Sequence, residues 1–212
     1  MKRGLLIVFE GIDNSGKSTQ SKLLHKYIEG SHLQVFPSKE SPVGSSSILG
    51  KLIRDIITQK SPPLPSAAFT LLNTADRHEQ APNIIRLLQA GTTVILDRYI
   101  YSGMVYNKSH HNLSKNNEAG LPKPDLIFYI DCPPEITTKR ADFGNDINDT
   151  IERQSEIYVH YKKMTYVPGW RIVDGRKTKE EIHEEIKEIY NNYKPRSNKV
   201  YLTETEDFPN MI

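Results

Sequence analysis

The stretch Gly11-Ile12-Asp13-Asn14-Ser15-Gly16-Lys17-Ser18 follows the pattern G-x-x-x-x-G-K-[ST]. Each residue type in it has a chemical use. Gly11 and Gly16 can reach backbone angles that turn successive N–H groups inward as a nest for an anion. A helix beginning at Lys17 adds the partial positive charge of its N-terminus. The Lys17 ammonium can then meet the β- and γ-phosphates of a nucleotide, with Asn14, Ser15 and Thr19 around them. The Ser18 hydroxyl can ligate Mg²⁺.

The flanks suit this use. The run Leu5-Leu6-Ile7-Val8-Phe9 is apolar and of strand length, and Leu23, Leu24, Tyr27 and Ile28 recur afterwards at helical spacing. Strand, glycine turn and helix together argue against a chance match. The loop alone does not separate kinases from GTPases or motor ATPases. A guanine-reading N-K-x-D is absent, since Asn107-Lys108 is followed by Ser109-His110 and Thr138-Lys139 by Arg140-Ala141. No D-x-x-G follows Asp97, and 212 residues are few for a motor ATPase. A small-molecule kinase is left.

A second group supports that class. Thr93-Val94-Ile95-Leu96-Asp97 reads as a buried strand ending in a carboxylate, followed by Arg98 and Tyr99. At the end of a strand beside the phosphate loop, Asp97 can organise Mg²⁺ and Arg98 can grip a phosphoryl group with two N–H bonds.

The remaining elements predict the frame. Strands are expected over residues 33–36, 126–131 and 171–174 as well, the buried ones continuously apolar as in a parallel sheet covered on both faces. Helices are expected over residues 48–58, 66–80, 81–90 and 178–193, with a break near Pro82 and Gly91 closing the third. The pattern is α/β, about five parallel strands with helices on both faces, with ligands at the strand C-terminal ends. Residues 1–194 are expected to form one kinase domain. The polar tail, residues 195–212, reads as a loosely ordered terminus.

The bulk numbers exclude several classes. A net charge of +2 and a pI near 8.5, with both signs interspersed, are too mild for nucleic-acid binding. The single cysteine, Cys132, excludes an internal disulfide and indicates a reducing compartment. It follows a buried strand and reads as a packed thiol. No segment has the run of ~18 apolar residues that a membrane span needs. A cytoplasmic protein is expected, with passage into the nucleus left open. His110-His111 has no partner at zinc-site spacing and reads as polar surface, and Trp170 reads as core.

Several motifs in order resemble the thymidylate kinase family. They are Phe9-Glu10-Gly11-Ile12-Asp13 with Gly16-Lys17-Ser18-Thr19-Gln20, then Leu71-Leu72-Asn73-Thr74-Ala75-Asp76-Arg77-His78-Glu79, then Asp97-Arg98-Tyr99 with Ser102-Gly103, then Gly120-Leu121-Pro122-Lys123-Pro124-Asp125-Leu126. The likeness runs from about Arg3 to Tyr190, in a eukaryotic or large-DNA-virus flavour. It implies a P-loop nucleoside-monophosphate kinase fold with a short lid and a reaction in which ATP and dTMP give ADP and dTDP with Mg²⁺. It also implies a homodimer. By resemblance Asp13 meets the sugar 3′-hydroxyl, Arg98 holds the monophosphate and Arg77 reads the thymine edge. Ser102, Gly103 and Tyr106 line the base pocket. Arg140 lies over the adenine, and residues 141–150 form the lid, with Gln154 after it.

The chain departs from the family pattern at four places. Asn14 and Lys39 stand where arginines are usual; Lys39 keeps the charge that can clamp the monophosphate but loses the two-pronged grip. Lys139, Arg140 or Arg153 can supply the missing loop cation, and Arg153 is preferred because it lies just past the lid. Asn73 and Asn148 stand where aromatic residues are usual. Base stacking on a ring contributes about 1–3 kcal/mol, so two readings stay open. Either monophosphate specificity is relaxed or altered, or Phe69, Tyr101 or Tyr106 fills the space. Outside the enzyme class, Asn14 leaves a non-catalytic nucleotide-binding module as the alternative.

Overall fold

A computed structural model of the chain describes residues 2–39, 47–107, 110–140, 150–165, 169–195 and 199–204. Five parallel strands form one sheet in the order β2-β3-β1-β4-β5. They are β1 (Leu6–Glu10), β2 (His32–Val35), β3 (Val94–Asp97), β4 (Leu126–Asp131) and β5 (Trp170–Asp174). The register pairs Phe9 with Asp97 and with Phe128. It therefore sets the ends of β1 and β3 side by side.

Alternation along each strand explains the two-faced core. Leu6 and Val8 of β1, Val94 and Leu96 of β3, and Ile127 and Tyr129 of β4 share one buried cluster. Ala81, Ile84 and Leu88 of α3 (Ser66–Gln89) join it, with Ile100 and Met104 of α4 (Ile100–Tyr106) and Ile157 and Tyr161 of α7 (Ile151–Met164). Ile7, Phe9, Ile95 and Phe128 form the opposite face. There they meet Leu24 of α1 (Lys17–Tyr27) and Ile182 and Ile186 of α8 (Lys179–Asn192). Trp170 lies in the core, its ring 5.0 Å from that of Tyr101. Cys132 is buried, and burial pushes its thiol pKa up.

Two expectations change, and helices appear where none was expected. The break near Pro82 does not occur: α3 runs unbroken through it. Proline removes one N–H donor from a helix, but the flanking Ala81 and Ile84 are anchored in the core, which outweighs that loss. The stretch between β3 and β4 carries α4 and α5 (His111–Asn117), helices too short for their periodicity to show in sequence. The tail is not loose over residues 199–204: Leu202 pairs antiparallel with Pro122, and Thr203 is buried. The two remaining helices are α2 (Ile48–Ile57) and α6 (Pro134–Thr137). No helix among the described residues is long and apolar enough to cross a membrane.

Candidate active site

The site begins at the last residue of β1. Glu10 is fully buried, and its carboxylate accepts four hydrogen bonds. Oε1 takes the backbone N–H groups of Tyr99 (2.9 Å) and Ser102 (3.2 Å). Oε2 takes the hydroxyls of Ser102 (2.6 Å) and Tyr161 (2.7 Å). Glu10 thus fixes the turn between β3 and α4. In that turn Arg98 adopts φ 68°, a left-handed conformation costly for a non-glycine residue.

The strained turn points Arg98 back at the phosphate loop. Its guanidinium donates to Asp13, to the Ser102 hydroxyl (3.1 Å), to the Tyr106 hydroxyl (3.2 Å) and to the Gly11 carbonyl (3.3 Å). Asp13 also accepts from the Tyr106 hydroxyl (2.8 Å) and from Gln154 Nε2 (2.7 Å), while Gln154 Oε1 accepts from the Asp13 N–H (2.9 Å). Burial alone would raise the Asp13 pKa, but Arg98 and Lys17 together hold it below the usual carboxylate range. Burial likewise opposes the charge on Arg98, and Tyr106 and Asp13 outweigh it.

Lys17 opens α1 and is buried. Its ammonium donates to the Ile12 carbonyl and lies 3.4 Å from the Ser15 hydroxyl. Burial, helped by the nearby Arg98, lowers its pKa to about 8. Gly11 (φ 145°) and Gly16 (φ 108°) carry the loop's glycine-only angles, and Asn14 (φ 56°) is a non-glycine residue that tolerates the left-handed region. Ser18 and Thr19 are exposed at the helix start, and Asp97 is buried at the end of β3. Arg140 reaches across to the loop, donating to the Asn14 carbonyl (2.5 Å) and to the Gly175 carbonyl (3.3 Å).

Beyond Arg98 lies a cleft of about 310 Å³ lined by Asp13, Phe69, Asn73, Arg77, Ser102, Gly103, Tyr106 and Arg153, with Ile53, Ile56 and Leu64 on an apolar wall. Arg77 is buried and clasped by Glu118 through Nε (2.8 Å) and Nη2. Gly103 makes room for it, because a Cβ there would stand 2.7 Å from Arg77 Nη2. Burial opposes the Arg77 charge, and Glu118 restores it.

Several sequence candidates lie elsewhere. Lys39 is exposed and absent from the cleft walls. Arg153 donates to the Tyr106 carbonyl and to Glu156 (2.8 Å), so it stands at the cleft rather than on the phosphate loop. Tyr101 faces the core. Asn148 and the lid, residues 141–149, lie outside the described residues. Sequence reasoning missed the linking role of Glu10 and missed Glu118 altogether. A carboxylate closing the short α5, remote in sequence from Arg77, leaves no local signal.

A phosphate loop at the end of β1, joined through Asp13 and Arg98 to a nucleoside-sized cleft, belongs to the class of P-loop kinases acting on nucleoside monophosphates. Residues 9–186 match the model of the family described as thymidylate kinase. The thymidylate kinase of Plasmodium falciparum is 38% identical over 87% of this chain and 89% of its own length. That of Homo sapiens is 34% identical over 88% and 89%. The solved thymidylate kinase of Candida albicans superposes with a TM-score of 0.84 at 32% identity, over 95% of this chain and 99% of that one. The chain belongs to the thymidylate kinase family.

The Glu10 linkage makes a prediction. Glu10→Gln preserves volume but removes the charge that four donors share. It is expected to lower unfolding free energy by about 1–3 kcal/mol in urea melts. Tyr161→Phe, which removes one donor and leaves the carboxylate, is expected to cost less. Equal losses, or none in Glu10→Gln, would contradict the role given to this carboxylate.

Proposed function

We propose that the chain transfers the γ-phosphoryl group of ATP to dTMP, giving ADP and dTDP. The observation that carries this reading is the Asp13–Arg98 junction, where the phosphate loop and the nucleoside cleft meet. ATP phosphates sit on the loop, and the dTMP phosphate sits at Arg98. An oxygen of that phosphate attacks the γ-phosphorus, the bond to the β-phosphate oxygen breaks, and no side-chain nucleophile is needed.

The residues then take distinct parts. Lys17 and the loop N–H groups neutralise charge on the β- and γ-phosphates. Asp13, kept anionic, accepts from the sugar 3′-hydroxyl. Arg77 faces the thymine edge, with Ser102, Gly103 and Tyr106 around the ring. We assign to Arg140 the place of the cation missing at Asn14, because its guanidinium touches Asn14 itself. Arg153 faces the acceptor side of the same passage. The hydroxyl of Ser18 and the carboxylate of Asp97 are hard oxygen donors, which fits Mg²⁺ held mainly by phosphates and water. Bound there, Mg²⁺ would supply charge neutralisation of the phosphates.

Phe69 is the ring that serves the base. Asn73 donates its amide to the Phe69 carbonyl at 2.8 Å, so it turns back along α3. Tyr106 is committed to Asp13 and Arg98. Phe69, one helical turn before Asn73, lines the cleft and takes part in none of the aromatic ring pairs described. We further place the chain in the cytosol as a homodimer, with residues 1–194 as the kinase domain, by likeness to the family and by its single cysteine and mild charge.

Two experiments follow. Phe69→Ala is expected to raise KM for dTMP by about 10- to 100-fold, with KM for ATP little changed and activity rescued by Phe69→Tyr. Loss of affinity for both substrates alike would contradict the stacking role. The second concerns protons. Lys17 has a pKa near 8 in the free enzyme, against 10.5 for an ordinary lysine, and phosphate binding restores its charge. Nucleotide binding should therefore take up a proton above pH 8 and weaken as pH rises through that value. Calorimetry at pH 8.5 in buffers of differing ionisation enthalpy should show uptake of about 0.7 proton, falling towards zero at pH 6.5. Equal uptake in Lys17→Met would contradict the assignment to Lys17.

A further inference from the structure

The segment 199–204 grips the loop that carries Glu118. The Gly120 N–H donates to the Thr203 carbonyl (2.9 Å), the Thr203 N–H to the Leu121 carbonyl (2.8 Å), and the Lys123 N–H to the Tyr201 carbonyl (2.8 Å). The Thr203 hydroxyl donates to the Glu118 carbonyl at 2.6 Å, and both residues are buried. The Glu118 side chain in turn takes two N–H bonds from Arg77 and the hydroxyl of Thr74 (3.0 Å).

Glu118 closes the seven-residue helix α5. So short a helix has little stability of its own and depends on tertiary support. Thr203 supplies such support on the backbone side of Glu118, while Arg77 lies on its carboxylate side. Gly103 backs the Arg77 guanidinium closely enough that a displaced Glu118 would shift it along the cleft wall.

We propose that residues 199–204 are a positioning element of the monophosphate site, acting through Glu118 to hold Arg77 against the 4-oxo edge of the pyrimidine. This rests on the reading of Arg77 given above. A guanidinium donates only. Held rigidly, it accepts a 4-oxo base and rejects a 4-amino base, whose edge also donates. A loosened guanidinium loses both the affinity and the discrimination.

The test uses the full chain with dTMP and dCMP as acceptors. Thr203→Val removes the hydroxyl and keeps the shape. It is expected to raise KM for dTMP about 3- to 10-fold, to narrow the dTMP/dCMP ratio of kcat/KM, and to leave KM for ATP within about twofold. Thr203→Ser should restore the parent values. Glu118→Gln should do more, and Thr203→Val added to Glu118→Gln should do nothing further, because both act on one chain of contacts. Additive effects, or equal changes in KM for dTMP and ATP, would overturn the proposal. If Thr203→Val fails to fold, Thr203→Ala is read by the same criteria. Arg77→Ala separates the two levels. A large rise in KM for dTMP there, beside a silent Thr203→Val, overturns the positioning role alone. A silent Arg77→Ala overturns the reading of Arg77 and the proposal with it.

Discussion

The Glu10 carboxylate joins β1, the β3–α4 turn and α7 at one point in the interior. A buried carboxylate is costly unless its lone pairs are filled, and here two backbone N–H groups and two hydroxyls fill them. Those same bonds hold Tyr99 and Ser102, which follow Arg98 into the start of α4. They act together with the Arg98 N–H bond to the Phe9 carbonyl (3.0 Å) and the guanidinium contacts in keeping Arg98 at φ 68°. Arg98, at the junction of the phosphate loop and the cleft, is therefore positioned by a buried residue that does not line the cleft. Pairing of Phe9 with Asp97 in adjacent parallel strands brings the two strand ends close enough for this to work.

Charge is arranged in advance of the substrates. Lys17 leans on the Ile12 carbonyl, and Arg98 shares its guanidinium among Asp13, Ser102, Tyr106 and Gly11; these are the groups proposed to meet phosphate. Arg77 differs, being locked by Glu118 against Gly103. The contrast fits the two tasks proposed for them. A phosphate clamp gains from partners it can exchange, whereas a base reader gains from rigidity.

The phosphate loop and the strands were legible because they are local. Loop spacing, the apolar runs of β1, β3 and β4, and the carboxylate at Asp97 all lie in a few consecutive residues. What was not legible depends on contacts between distant segments. Pro82 signalled a break that core packing overrides. Arg153 looked well placed beyond the lid, yet it turns to the Tyr106 carbonyl, while Arg140 lies on the loop. The polarity of the tail hid its pairing with residues 118–123, since backbone hydrogen bonds leave no trace in composition.

The account stands most directly on ADP formation from ATP and Mg²⁺ with a panel of nucleoside monophosphates. It predicts saturable turnover with dTMP preferred over dCMP, dUMP and dGMP. Equal or better use of another monophosphate would contradict the assignment of the base pocket around Phe69 and Arg77. Nucleotide binding with no turnover on any of them would contradict the phosphoryl-transfer reading and turn attention to Asn14.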